Sequence, residues 1–169
     1  MPESSQLAYL WSAGSVVIGL LLQLVPLSST MALWRPQFIL LIVFYWMFRN
    51  PFMHGITFAW LSGLLLDIFV GELFGRHAIV FALCAYLIRL IQQRLHHFGV
   101  LHQAMLVLFM VLVSQLLLHS ITLIFRVGWD GSLSVAPAIT SAILWPFMVL
   151  VINRLLKTQG LGQSISSGS

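Results

Sequence analysis

Three long stretches of this chain contain no Asp, Glu, Lys or Arg. They cover residues 4–34, 95–125 and 131–153, and each is long enough to cross a bilayer, which takes about 20 apolar residues. Charged side chains make up only 7% of the 169 residues, whereas a soluble domain carries about 25%. The sequence therefore predicts an integral membrane protein and excludes a soluble enzyme, a nucleic-acid-binding protein and a disordered tail.

The apolar runs between polar breaks predict an all-α bundle of six transmembrane helices. The expected spans are residues 9–27, 36–49, 52–70, 78–93, 102–125 and 136–153. The second span is short, because only 13 residues separate Arg35 from Arg49. Either both arginines reach the membrane surface or neighbouring helices shelter this span, and a five-span arrangement is the alternative.

The whole bundle forms one predicted domain, residues 1–157, followed by a flexible Gly/Ser-rich tail over 158–169. The connections are short, so we expect no domain outside the membrane. Residues 7–27 are apolar, but the start of the chain lacks the basic residues of a secretory signal, so we expect this segment to remain as the first helix.

The basic residues predict the orientation of the bundle. With the N-terminus in the cytoplasm, five basic side chains face inward and three face outward, an excess that the positive-inside rule favours. Both termini are then cytoplasmic. The inner set is Arg49, Arg89, Arg94, Arg154 and Lys157, and the outer set is Arg35, Arg76 and Arg126.

The third predicted helix carries small residues at four-residue spacing. Gly55, Ala59 and Gly63 form a stripe that lets another helix approach closely. Asp67 and Gly71 continue the same spacing. Asp67 is the only acidic residue in any predicted span, and an unpaired carboxylate in hydrocarbon costs about 2.5–3.5 kcal/mol. We therefore expect Asp67 to face protein and to have a partner.

The predicted topology offers four partners for Asp67 near the outer surface: Arg35, Arg76, Arg126 and His119. A structural ion pair that fixes the register of the helices is the favoured interpretation. A proton or solute site is the alternative, because acids within membranes are candidates for function.

The other polar and aromatic residues indicate contacts between helices and with the membrane interface, and not a catalytic or binding site. Hydrogen bonds between helices are expected from Gln23, Ser114, Gln115, His119 and Ser120. Trp145 and Pro146 predict a kink in the last helix. We expect membrane-interface anchors at Trp34 and Trp129 on the outside and at Tyr45 and Trp46 on the inside.

No catalytic, cofactor or metal site is expected. The segment from Trp60 to Gly63 approaches the nucleophile turn of rhomboid proteases, but a tryptophan occupies the glycine position. His96, His97 and His102 have no carboxylate or thiol beside them, so a basic face near lipid headgroups is the favoured interpretation.

Several short motifs together resemble the proteobacterial family of the rod shape-determining protein MreD. The resemblance runs from about Trp11 to Leu156 and agrees in length and in the number of spans. The matching residues are Trp34-Arg35-Pro36, Leu40-Leu41, Tyr45-Trp46, Pro51, Gly63 to Asp67, Gly71, Leu73-Phe74-Gly75, Ala85-Tyr86-Leu87 and Leu144-Trp145-Pro146.

This resemblance implies a six-helix inner-membrane subunit of the cell-elongation machinery with no catalytic residue. MreD-like proteins act beside MreC, MreB, RodZ and RodA with its partner transpeptidase, and they help to organise lateral peptidoglycan synthesis. The family is also similar in fold to the substrate-binding subunits of energy-coupling-factor vitamin transporters. A small-solute-binding subunit is therefore the alternative function, although the chain shows no internal repeat that would indicate alternating access.

Overall fold

The computed structural model describes residues 3–26, 28, 31, 33–51, 54–71, 74–92, 99–125 and 134–158, and α-helices are the regular secondary structure within them. Each helix overlaps one predicted segment, although α1 begins at residue 3 instead of 9 and α6 continues to residue 158 instead of 153. The helices are α1 Glu3–Leu24, α2 Phe38–Arg49, α3 Ile56–Val70, α4 Arg76–Gln92, α5 Val100–Phe125 and α6 Ala136–Thr158.

The short helix α2 lies at the centre of the bundle. Its residues from Ile39 to Met47 are all buried, and all five other helices contact it. With 12 residues it is about 18 Å long at 1.5 Å per residue, which is well short of a bilayer core of about 30 Å. Neighbouring helices therefore shelter α2, which is the second of the two solutions that the sequence allowed.

The other five helices form an incomplete ring around α2. Contacts run from α1 to α3, from α3 to α4, from α4 to α5 and from α5 to α6. Among the described residues, α1 and α6 make no contact with each other. The ring is therefore open between the first and the last helix.

The outer surface of the bundle is strongly apolar. Leu101, Ile124 and Leu10 have exposed fractions of 75%, 74% and 68%, and many other large apolar side chains are exposed. In the described part of the chain, the segments Val100–Phe125 and Ala136–Leu155 are long and apolar enough to cross a membrane. Contiguous apolar surface of this kind suits contact with lipid or with other membrane helices.

Two aromatic residues differ from their expected position at the membrane interface. Tyr45 and Trp46 are 4% and 2% exposed, because they lie on the central helix. The Tyr45 hydroxyl donates a hydrogen bond to Asn153 Oδ1 at 2.8 Å, and Trp46 Nε1 donates to Ser15 Oγ at 2.8 Å. These side chains join α2 to α6 and α1, and do not face headgroups.

Trp34 is exposed, and its role as an anchor at the membrane interface stays a prediction. Several other expectations fall on residues outside the described part of the chain. They concern Arg94, His96, His97, Arg126, Trp129 and the tail over 159–169.

Two glycines of α1 have opposite surroundings. A Cβ on Gly19 would lie 2.5 Å from Ile42 Cδ1 on α2, whereas a Cβ on Gly14 would meet nothing within 4 Å. Gly19 therefore allows α1 to pack closely on α2, and Gly14 has no such role among the described residues.

We predict that Gly19→Leu destabilises the protein by about 1–3 kcal/mol through overpacking, and that Gly14→Leu leaves stability unchanged. Thermal unfolding of the purified protein in detergent measures both. Equal melting temperatures for the two variants would contradict the assigned packing of α1.

Candidate functional site

The buried face of α3 packs on α4. The contact between these two helices is the most extensive of any pair in the described part of the chain. Ala59 and Gly63 lie on this face together with Asp67, and all three are buried. Gly55 precedes the first turn, and a Cβ there would lie 3.5 Å from Arg89 Nη1 of α4. The residues at four-residue spacing therefore meet a single neighbouring helix.

Gly63 allows the closest approach between the two helices. A Cβ at this position would lie 2.6 Å from the carbonyl oxygen of His77 and 2.7 Å from both N and Cα of Ala78. These are backbone atoms, which cannot move aside as a flexible side chain can. Any side chain larger than hydrogen would therefore force α3 and α4 apart.

Asp67 lies one turn after Gly63 and contacts the same two residues of α4. Its Oδ1 accepts hydrogen bonds from the backbone N–H of His77 at 3.1 Å and from His77 Nδ1 at 2.7 Å. Its Oδ2 accepts from the backbone N–H of Ala78 at 3.2 Å. The first N–H groups of a helix have no partner within the helix, and a negative charge there also interacts favourably with the helix dipole. Asp67 is thus an N-terminal cap for α4, supplied by α3.

The turn between the two helices depends on two glycines with positive φ. Gly71 ends α3 at φ +70°, and its N–H donates to the carbonyl oxygen of Asp67 at 3.1 Å. Gly75 precedes α4 at φ +89°, a conformation that side chains other than glycine rarely adopt. Gly71 is exposed, so it does not extend the packing stripe as its spacing suggested.

The partner of Asp67 differs from the four candidates that the sequence offered. His77, the second residue of α4, was not among them. Arg35 instead donates to the backbone carbonyls of Gln23 and Val25 at the end of α1. Arg76 is buried at the start of α4 and His119 is half-buried on α5, while Arg126 lies outside the described residues.

A second polar cluster lies where α2 begins. The backbone N–H of Phe38 donates to Gln23 Oε1 of α1 at 3.2 Å, and that of Gln37 donates to Ser141 Oγ of α6 at 3.2 Å. Ser114 of α5 donates to Gln37 Oε1 at 2.9 Å. Three neighbouring helices therefore supply polar partners to the start of the central helix.

A small cavity lies between these two polar clusters. It has a volume of about 50 Å³, and Gln23, Gln37, Leu66, His77 and Phe81 are among its lining residues. This volume is large enough for water, whereas pockets for small-molecule ligands measure about 300–1,000 Å³.

The remaining predicted residues occupy packing positions. Trp145 of α6 is buried and its ring lies edge-on to that of Phe48, with 5.8 Å between centroids. Pro146 lies within α6. Pro36 is half-buried in the connection before α2.

His54 was not among the residues predicted to have a role. This side chain is fully buried in the connection between α2 and α3, and neither ring nitrogen has a hydrogen-bond partner among the described residues. Its ring centroid lies 4.8 Å from that of Phe58, 5.1 Å from that of Trp46 and 5.7 Å from that of Tyr9. His54 therefore packs as an aromatic ring between α1, α2 and α3.

The chain is similar to known proteins over nearly its whole length. The family described as rod shape-determining protein MreD matches residues 4–155. The rod shape-determining protein MreD of Haemophilus influenzae is 25% identical over 139 residues, which cover 82% of this chain and 86% of that relative. No solved structure matches the chain.

We predict that Asp67→Ala destabilises the bundle by about 3 kcal/mol, because it leaves buried donors without an acceptor. Asp67→Asn retains one acceptor oxygen, so its loss should be smaller. His77→Ala removes only the side-chain bond and keeps both backbone bonds to Asp67, so it should destabilise the protein less than Asp67→Ala. The melting temperature in detergent and the amount of protein in membranes measure the effect, and unchanged values for both Asp67 variants would contradict the capping role.

We also predict that Gly63→Ala destabilises the α3–α4 pair by about 1–3 kcal/mol, because the added methyl group overlaps backbone atoms. Gly55→Ala is the control on the same stripe, where the added Cβ makes an ordinary contact. A denaturant titration in detergent micelles compares them. A Gly63→Ala protein as stable as the Gly55→Ala protein would show that the two helices are not closely packed at this point.

Proposed function

Because the chain belongs to the MreD family of rod shape-determining proteins, we propose that it acts as a non-enzymatic membrane subunit of the cell-elongation complex. Its role in rod shape follows from the family. The finer proposal is that it works through MreC, beside MreB, RodZ and RodA with its partner transpeptidase, to keep lateral peptidoglycan synthesis organised.

In this proposal the chain crosses the bacterial inner membrane six times, with both termini in the cytoplasm. The excess of basic residues on the inner side supports this orientation. The connection from Arg49 to Ile56 is then cytoplasmic, and the turn from Gly71 to Gly75 faces the periplasm.

The observation that carries the scaffold role is the complete use of the Asp67 carboxylate in packing. Both oxygens accept hydrogen bonds from the start of α4, and the residue is fully buried. Gly63 on the same face sets the distance between the same two helices. The acid thus has a structural role that explains its burial without a reaction or a transported proton.

The alternative of a vitamin-type binding subunit has less support. An apolar groove of about 750 Å³ between α1 and α6 is large enough for a small molecule, but its lining offers a vitamin few polar partners. The polar cavity beside Asp67 and His77 is about 50 Å³, which is several times smaller than the pockets that hold small molecules. The polar groups around it bond to helix ends and to one another. A solute would have to displace these hydrogen bonds to enter.

Affinity purification from native membranes tests the proposed function. The protein, tagged after residue 169, is extracted in a mild detergent, and its companions are identified by mass spectrometry against an unrelated multi-pass protein with the same tag. We expect MreC to be enriched, together with RodA and its transpeptidase.

A different set of companions would indicate a transporter subunit. Recovery of paired ATPases with a coupling membrane subunit, and tight binding of thiamine, riboflavin or biotin by the purified protein, would replace the scaffold with a transporter subunit.

A further inference from the structure

An apolar groove follows the opening in the helix ring. It has a volume of about 750 Å³ and lies between α1 and α6, with α2 as its floor. On α1 it extends from Leu10 to Leu22, and on α6 from Leu144 to Leu155. At 1.5 Å per residue these edges are about 17–18 Å long, or three turns of a helix.

The number of helices around α2 leaves one neighbouring place empty. Helices packed at a common interaxial distance of about 8–10 Å leave room for roughly six neighbours around a central one. The described chain supplies five neighbours to α2, and the first and last of them do not touch. The groove is therefore the place where a sixth neighbour of α2 would lie.

The chemistry of the groove suits an apolar helix. Its hydrogen-bonding side chains are Trp11, Ser15 and Trp46, and the last two bond to each other at 2.8 Å. An occupant therefore needs no polar group along most of the groove.

Gly14 adds an independent observation. It lines the groove, and the space where its Cβ would lie is open. Packing within the described chain gives no reason for a glycine here, whereas close approach of another helix backbone does, as at other contacts between membrane helices.

A positive charge without a carboxylate partner among the described residues lies just beyond the Trp46 end of the groove, outside its lining. Arg49 lies one turn beyond Trp46, and its Nη1 donates to Asn153 Oδ1 at 3.1 Å. Its Nε is buried without a hydrogen-bond partner, and the described residues place no carboxylate against it. A helix that brought a carboxylate or amide oxygen to this level would complement the charge.

We infer that the groove between α1 and α6 is the docking site for one transmembrane helix of a partner, which packs on Gly14 and presents an acceptor oxygen to Arg49. This inference rests on the proposed function for the choice of MreC as the partner. It adds the surface on which that partner binds.

Site-specific photocrosslinking tests the docking site in the full-length protein. A benzoylphenylalanine at Ile18 on the groove is compared with one at Ile79 on α4, which is similarly exposed. The probe partner is tagged MreC from the same organism, co-expressed in cells. We expect a crosslink to MreC from position 18 and none from position 79.

A second variant removes the space for the partner without disturbing the bundle. Gly14→Leu should lower the yield of the position-18 crosslink by roughly tenfold, which corresponds to a clash of about 1.4 kcal/mol. Arg49→Gln should lower it as well. The melting temperature of Gly14→Leu verifies that the fold is retained.

The other outcomes would contradict either the docking site or the proposed function. A crosslink to MreC from position 79 alone would place the partner elsewhere and leave the proposed function intact. A crosslink from position 18 to a second copy of this chain, or to lipid alone, would overturn the docking site. Absence of MreC from the purified complex would instead count against the proposed function.

Discussion

The bundle depends on polar partners for helix ends that lie away from water. The start of α4 is capped by Asp67 of α3, and the start of α2 by Gln23 of α1 and Ser141 of α6. The end of α1 receives the guanidinium of Arg35. An unsatisfied buried group would cost about 1–3 kcal/mol. Each cap comes from a neighbouring segment, so it also fixes how far one helix slides along the next.

This constraint explains how so few polar residues specify one arrangement. Apolar side chains alone allow two membrane helices to slide or rotate, because lipid competes equally for their surface. Gly63 and Asp67 remove that freedom between α3 and α4. Gly63 sets the distance between the two helices, and Asp67 sets their relative position along the helix axis. Both act on His77 and Ala78. The glycines at the turn then allow the chain to reverse without pulling the capped end out of position.

The sequence predicted the six helical segments and the buried face of α3, because charge-free runs and four-residue spacing are local properties. It did not predict His77 as the partner of Asp67. That choice depends on where α4 begins relative to α3, and an arginine was the more obvious partner for an acid. Tyr45 and Trp46 were misplaced because aromatic residues are common both at headgroups and in packed cores. The open ring between α1 and α6 is a tertiary feature with no local pattern.

The central position of α2 has a consequence for the order of assembly. The chain emerges from its N-terminus, so α2 is synthesised before four of its five neighbours. In a bilayer it would span about 18 Å with an arginine near each end, which is poorly suited to lipid on all sides. Its shelter is complete only after α5 and α6 have arrived. The last two helices therefore stabilise the second, so α2 reaches its final surroundings only when most of the chain has been synthesised.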